Sequence, residues 1–167
     1  MQLTTLNDVF VNQLGDLKSA EQQLTDALPK MAQAASTPEL REAFEEHLQE
    51  TRGHVKRLQE IEQMVGSIPT ETCDAMKGLV SEGEEIIEAD GDPVAKDVAL
   101  IAAAQRVEHY EIAAYGTARA LARELDFSDA ADLLGDTLDE ESAADQKLTS
   151  IATGGIMSDG INKAASH

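Results

Sequence analysis

Residues 106–115 read RVEHYEIAAY, and this stretch is the key to the architecture because it combines helix packing with closely spaced acidic residues. Val107, Ile112 and the alanines indicate that the segment packs against neighbouring helices. Glu108 and Glu111 are three residues apart, so they lie on nearly the same face of a helix. Carboxylates at such positions need a partner, because an unpaired charge is strongly disfavoured in a protein interior.

The composition of the chain favours a single helical domain. Its 167 residues are enough for one domain with a substantial core. Ala, Leu, Glu and Gln dominate, whereas Phe and Tyr are few and Trp is absent, so helices are favoured over strands. The formal net charge of -19 argues against nucleic acid as a partner, because such binding depends on positive side chains at phosphates.

The sequence also predicts where the protein resides. The lone Cys73 cannot form an internal disulfide, which fits a reducing compartment. Residues 1–20 contain Asp8 and Asp16 and lack a basic start followed by an apolar run, so no signal peptide is expected. No apolar stretch approaches the length of a membrane span. We therefore expect a soluble cytoplasmic protein that does not bind membranes.

Helical periodicity divides the chain into four long helices. In the first, apolar residues recur at alternating steps of three and four between Phe10 and Met31, and the missing member of this stripe is Glu21. Pro29 is expected to kink this helix rather than end it, because the stripe continues beyond it. A turn at residues 36–39 precedes the second helix, which is predicted from about Pro38 to Val65.

Two further long helices are predicted over residues 93–125 and 129–152, the last capped by Ser128. A long connection joins the second and third helices and includes a short helix over residues 75–88. These lengths predict an all-α fold, a ferritin-like four-helix bundle with one long crossover. The bundle domain is expected to span residues 1–153, and residues 154–167 are expected to form a flexible C-terminal tail.

Acidic residues occur at matched depths in both predicted hairpins. Glu21 and Glu50 lie 15 and 14 residues from the turn at position 36. Glu111 lies 15 residues before the turn near position 126, and Glu140 and Glu141 lie 14 and 15 residues after it. All of them therefore fall near the middle of the bundle, so carboxylates from four helices are expected to converge there.

A pair of bound metal ions would explain this convergence, because coordination neutralises several carboxylates together. His54, Glu108 and Asp145 lie about one helical turn farther along and complete the predicted set. The predicted ligands are Glu21, Glu50, His54, Glu108, Glu111, Glu141 and Asp145, with Glu140 as the competitor for Glu141. Oxygen-rich coordination with one imidazole suits iron or manganese better than structural zinc.

Four stretches carry a resemblance to a known family: DLKSAEQQL, HLQETRGHVKRL, RVEHYEIAAYGTARALA and LDEESAADQKL, at residues 16–24, 47–58, 106–122 and 138–148. They resemble the YciE/YciF-like family of ferritin-like bacterial stress proteins over residues 3–152. The resemblance implies a rubrerythrin-like or ferritin-like bundle with a dinuclear metal motif, a frequent dimeric state and a role in the stress response.

The sequence departs from the broader ferritin-like pattern at two places. The second helix of that pattern supplies Glu and His at a spacing of three, whereas Glu50 and His54 are four apart. Its fourth helix also supplies Glu and then His, whereas Glu141 and Asp145 stand here. Besides the predicted ligands, His47 is interpreted as a core or supporting histidine. Tyr115 is interpreted as a packing residue able to donate a hydrogen bond to a ligand carboxylate.

The leading functional hypothesis is a di-iron protein that acts on O2, peroxide or Fe(II) during stress; whether it is an oxidoreductase or ferroxidase is left open. Glu21 and Glu111 are expected as terminal or chelating ligands and Glu50 and Glu141 as bridges. Alternatives are a manganese or mixed iron–manganese site of the manganese catalase type, and a non-enzymatic helical dimerisation module. A homodimer is expected. Because Cys73 is the only cysteine, electrons would come from a separate donor protein.

Overall fold

The computed structural model describes residues 3–154 and 160–166, and within these ranges the chain forms helices and loops without strands. The helices are α1 (Leu6–Ala34), α2 (Pro38–Val65), α3 (Asp74–Glu88), α4 (Pro93–Glu124), α5 (Ser128–Thr153) and α6 (Ile161–Ala164). The long helices α1, α2, α4 and α5 form the bundle, and α3 lies in the crossover between α2 and α4. The predicted all-α, ferritin-like four-helix bundle with a long crossover is confirmed.

The ends of the long helices follow local sequence signals. Thr5 caps α1 by accepting a hydrogen bond from the Asp8 amide (3.1 Å), and Asp8 in return accepts one from the Thr5 amide (2.8 Å). Pro29 lies inside α1 and does not end it, as predicted. The expected cap at Ser128 is wrong, because Ser128 is the first residue of α5 and Phe127 precedes it without a side-chain cap.

A buried carboxylate fixes the turn between α1 and α2. Asp97 of α4 has no exposed surface and accepts hydrogen bonds from the amides of Ser36 (2.9 Å) and Thr37 (2.8 Å). The hydroxyl groups of both residues also donate to Asp97. Because α4 pairs with α5 rather than with α1 or α2, Asp97 joins the α1–α2 pair to the α4–α5 pair at this end of the bundle.

The crossover is attached to the outside of α1 by close contacts. A Cβ atom at Gly15 would lie 3.2 Å from the carbonyl oxygen of Pro69, so glycine at this position allows the loop to approach the helix. The Cys73 amide donates to Ser19 Oγ (2.9 Å), and Gln23 Nε2 donates to the Cys73 carbonyl (3.2 Å). These contacts precede α3 directly and so position it against α1.

Two apolar clusters occupy the two ends of the bundle. On α1, Leu17 belongs to one cluster and Leu24 to the other, with the buried Glu21 between them. Likewise on α5, Leu134 and Leu148 belong to different clusters. A polar layer therefore crosses the middle of the interior, enclosed by hydrophobic side chains on both sides.

Part of the expected C-terminal tail lies within the described residues and includes α6. Ile161 of α6 is buried and packs in the apolar cluster that also contains Leu148 and Ile151. Its apolar side chain favours this contact because burial removes it from water. The other residues of the expected tail, 155–159 and 167, lie outside the described residues. No helix in the described ranges combines the length and hydropathy that a membrane span requires.

Candidate metal centre

Five of the predicted ligands converge in the polar layer, and they come from all four long helices. Glu21 lies on α1, His54 on α2, Glu108 and Glu111 on α4, and Glu141 on α5. Glu108 retains 2% of its surface and the other four have none exposed. Each side chain occupies a position that helical periodicity reserves for the core, which explains why the fold draws them together.

A sixth residue, His47, also belongs to this layer. It is buried, and its Nε2 atom lies 3.4 Å from Glu108 and 3.7 Å from Glu141. The sequence interpretation as a core or supporting histidine left it out of the predicted ligands. The signal that would have included it is its spacing of seven residues from His54, which places both imidazoles on one face of α2.

The six side chains form two groups that share one carboxylate. In the first group, His47, Glu108, Glu111 and Glu141 each offer a ligand atom, and these atoms all lie within 4.8 Å of one another. In the second group, Glu21, His54 and Glu141 do the same. Because Glu141 belongs to both groups, it stands where a bridging carboxylate between two cations would be needed.

The structure does not bring Glu50 and Asp145 into this layer. The Glu50 side chain is 47% exposed and lies 3.3 Å from Nδ1 of His47, on the side facing away from the buried carboxylates. Asp145 is partly exposed and accepts a hydrogen bond from Gln105 Nε2 (3.0 Å), with His109 at 3.4 Å. Both residues therefore lie beside the centre rather than in it.

Glu140 and Glu141 have separate positions. Glu141 points into the interior, whereas Glu140 is 36% exposed and forms a bidentate pair with the guanidinium of Arg57 at 2.5 and 2.7 Å. Glu140 also lies 2.8 Å from Nε2 of His54. Each imidazole thus contacts a surface carboxylate through one nitrogen and buried carboxylates through the other, an arrangement that orients metal-bound histidines.

Many polar atoms in the centre make no well-aligned hydrogen bond, although the imidazole nitrogens among them lie within ion-pair distance of carboxylates, His54 Nδ1 at 3.0 Å from Glu141 Oε1. They are Glu21 Oε2, His47 Nε2, His54 Nδ1, Glu108 Oε2, both carboxylate oxygens of Glu111 and both of Glu141. The ion pairs that Lys and Arg form among the described residues engage other carboxylates, such as Glu62, Glu84 and Glu140. Buried carboxylate oxygens and imidazole nitrogens without a well-aligned hydrogen bond are disfavoured unless something binds them, so the centre fits divalent cations.

Tyr115 supports the centre from the side of α4. Its ring is buried, and its hydroxyl group donates a hydrogen bond to Oε1 of Glu21. This bond satisfies one Glu21 oxygen and leaves Oε2 free to bind a cation. Tyr115 therefore combines the two roles that the sequence left open, packing in the interior and donating to a candidate carboxylate.

Burial and charge shift the pKa values of these groups strongly. Burial raises the pKa of Glu111 and of Glu108 well above the usual range for Glu. Burial by itself lowers the pKa of His47 and His54, but the neighbouring carboxylates outweigh it and raise these values to about 9 and about 10. Protons therefore neutralise the layer when no cation does, and cation binding would displace them.

The fold and the centre define the chain as a ferritin-like helical bundle whose interior presents four carboxylates and two imidazoles. Residues 5–162 match the family described as Domain of unknown function (DUF892), and the chain belongs to that family. Protein YciF of Escherichia coli (strain K12) is 45% identical over 166 residues, which cover 98% of this chain and 100% of that protein. The resemblance to YciF-like proteins is thereby confirmed.

Two solved structures extend the similarity to the backbone. The crystal structure of the E. coli stress protein YciF has a TM-score of 0.86 at 48% identity and covers 88% of this chain and 94% of its own. YcfI of Rhodopseudomonas palustris, a proposed structural protein, has a TM-score of 0.87 at 39% identity and covers 90% and 97%. Both relatives therefore share the bundle along most of its length.

Proposed function

We propose that this protein is a dinuclear metal protein of the bacterial stress response that binds two iron ions and reacts with O2, peroxide or Fe(II). The observation that carries the proposal is the position of Glu141, shared between two buried groups in which most of the candidate ligand atoms make no well-aligned hydrogen bond. Four carboxylates and two imidazoles suit iron or manganese, the metals that accept mixed oxygen and nitrogen donors. Bound iron would supply the electron-transfer chemistry.

The residues divide between the two cations as the geometry groups them. His47, Glu108 and Glu111 would hold one cation, Glu21 and His54 the other, and Glu141 would bridge them. His47 would bind through Nε2 and His54 through Nδ1, because these atoms face the buried carboxylates.

Side chains around the centre set the orientation of the ligands. Glu50 and Glu140 contact the outer nitrogens of His47 and His54, which favours a proton on those nitrogens and leaves the inner ones free to bind. Tyr115 holds Glu21 in place, and the flanking apolar clusters limit the access of water. Glu50 thus acts as an orienting group in this proposal, where the sequence had suggested a bridge.

The cellular setting is part of the same proposal. The protein would act in the cytoplasm, as its sequence led us to expect, and as a homodimer, the state that the family resemblance implied. Cys73 is its only cysteine, so the chain has no cysteine pair with which to hold an electron-transferring iron centre of its own. A separate electron-donor protein would then reduce the metal pair.

Elemental analysis of protein purified without chelators tests the proposal. Two iron ions per chain are expected in the unaltered protein, and Glu141→Gln should lose most of both, because it removes the shared anionic ligand. Asp139→Asn, the same change at an exposed residue on α5, should keep both ions. Equal metal content in the two variants would refute the assignment of Glu141. Two manganese ions in place of iron would instead support the manganese form of the site.

A non-enzymatic role as a helical interaction module is the second candidate, because the relative YcfI is a proposed structural protein. The two roles differ in how stability responds to metal removal. A metal-binding bundle should show a lower Tm after chelator treatment, since a ligand bound only by the folded state stabilises it. A purely structural module should show the same Tm before and after.

A further inference from the structure

A crevice between α2 and α5 leads from the surface toward the candidate centre. Its volume is about 110 Å³, more than a single water molecule requires. Small side chains from both helices form its walls, among them Ala43, Ala143 and Ala144. His47 and Glu108, two of the candidate ligands, also line it, and both are buried. The crevice therefore joins solvent to one group of ligands.

The outer end of the crevice carries exposed charged groups. Glu50 is 47% exposed, and Lys147 of α5 forms an ion pair with Glu46 of α2 across the opening. Because Glu46 offsets the charge of Lys147, Glu50 is the carboxylate of this opening with which no Lys or Arg of the described residues forms an ion pair; its partner is the buried His47. Glu50 also contacts Nδ1 of His47 at 3.3 Å, so it lies between solvent and the buried ligands.

The inner end of the crevice presents possible metal-ligand atoms that make no hydrogen bond. Nε2 of His47 and Oε2 of Glu108 are buried and make no hydrogen bonds. A cation that passed Glu50 would thus meet an imidazole nitrogen and a carboxylate oxygen next. From the opening inward, the polar lining of the crevice thus changes from exposed carboxylates to a buried imidazole and a buried carboxylate.

The imidazole of His54, on the other side of the centre, has a different environment. His54 has no exposed surface, and its outer nitrogen contacts Glu140, which is held by both guanidinium nitrogens of Arg57. A positive guanidinium that covers the carboxylate on this side would repel an approaching cation. The two sides of the centre are therefore unequal, and the side of His47 is the more accessible to a cation.

We propose that the crevice between α2 and α5 is the passage by which divalent cations reach the centre, with Glu50 as the first carboxylate they meet. This inference rests on the proposed function, because it assumes that the buried groups bind metal. The strongly negative chain, at -19, raises the local concentration of cations and so favours their capture at this carboxylate.

Stopped-flow uptake of Co2+ by the metal-free protein tests the passage, with the visible absorbance of bound cobalt as the signal. Ala144→Leu should narrow the crevice and slow uptake about tenfold while two ions still bind at equilibrium. Ala102→Leu places the same side chain at an exposed position on α4 outside the crevice and should leave the rate unchanged. Circular dichroism of each variant verifies that the helices are intact.

Charge at the opening gives a second and independent measurement. Glu50→Gln should slow uptake about threefold or more, and added salt should reduce this difference, because the carboxylate attracts the ion electrostatically. Glu60→Gln, at an exposed residue on the same helix, should have no such effect. Lys147→Met removes the positive charge at the opening and should make uptake faster.

The failure of the passage and the failure of the proposed function give different results. If the unaltered protein binds no cobalt, the proposed function and the passage are both wrong. If Ala144→Leu and Ala102→Leu bind two ions at equal rates, the passage alone is wrong and the metal centre stands. Loss of bound ions at equilibrium in Ala144→Leu would also overturn the passage, since the residue would then act on the site itself.

Discussion

Glu140 and Glu141 are neighbours in the sequence, yet they contact opposite nitrogens of one imidazole. Oε2 of Glu140 lies 2.8 Å from Nε2 of His54, and Oε1 of Glu141 lies 3.0 Å from Nδ1. Consecutive residues of a helix are rotated by about 100° around its axis, which lets one turn of α5 hold both sides of the ring. The inner carboxylate is suited to binding a cation and the outer one to orienting the imidazole.

This relationship predicts an effect of Glu140 on metal binding without direct contact. Glu140→Ala should weaken metal affinity about 10- to 100-fold, because His54 loses the carboxylate that fixes its ring and tautomer. Competition with a metal chelator measures the affinity. Asp139→Ala is the control on the same helix, and equal affinities in the two variants would show that Glu140 is only a surface residue.

The absence of partners at Glu111 predicts a trade-off between stability and binding. Glu111→Met should stabilise the metal-free protein by about 1–3 kcal/mol, because two buried oxygens without hydrogen bonds are replaced by a side chain of similar length. The same variant should gain less stability from added metal. Urea unfolding with and without metal measures both effects, and a less stable metal-free variant would contradict the prediction.

The fold was predictable because its signals are long and redundant. The stripe from Phe10 to Met31 spans several turns of α1, so the apolar pattern outweighs Pro29 within it. Ser128 shows the limit of such reasoning. The left-handed backbone of Asp126 (φ 62°) brings the Phe127 amide back to the Ala122 carbonyl, and α5 begins one residue early. Tertiary geometry of this kind leaves little trace in the sequence.

The sequence predicts how far along the bundle each candidate residue lies better than it predicts which way its side chain points. Distance from a turn gives the level of a residue along the bundle, and Glu21, Glu111 and Glu141, which share one predicted level, all lie buried in the candidate groups. It gives no rotation about the helix axis. Glu50 is rotated by about 60° from His47 on α2, which is enough to turn it toward the surface. Which of the two faces the interior depends on how α2 packs against α5, where His47 lies 3.7 Å from Glu141. A single sequence does not specify that packing.

Tyr115 should act as a positioning residue for Glu21. Tyr115→Phe removes the hydroxyl that donates to Glu21, so a buried carboxylate oxygen loses its partner and metal-free stability should fall by about 1–3 kcal/mol. Metal affinity should also fall, since Glu21 is no longer held. Tyr110→Phe is the matched control, because its hydroxyl contacts Cys73 Sγ (2.9 Å) instead. Equal metal dissociation constants in the two variants would refute the role.

Asp97 predicts a pH-dependent contribution to stability that is separate from the metal centre. Burial alone would raise the pKa of Asp97, but the hydrogen bonds from Thr37 and Ser36 lower it below the usual range. Asp97→Asn should reduce the free energy of unfolding by about 1.5–3 kcal/mol at neutral pH, because the charged acceptor is lost from both amides. Urea unfolding in the presence of a chelator measures this loss.

The sign of the pH effect follows from the lowered pKa of Asp97. A group whose pKa is lower in the folded state stabilises that state fully above its unfolded pKa, about 3.9 for Asp. That stability is lost as the pH falls through the folded value. The difference between the unaltered protein and Asp97→Asn should therefore be constant near neutral pH and shrink below about pH 4. Asp90→Asn, at an exposed loop residue, should show no such difference at any pH. A difference for Asp97→Asn that grew on acidification would mean that the carboxylate destabilises the turn.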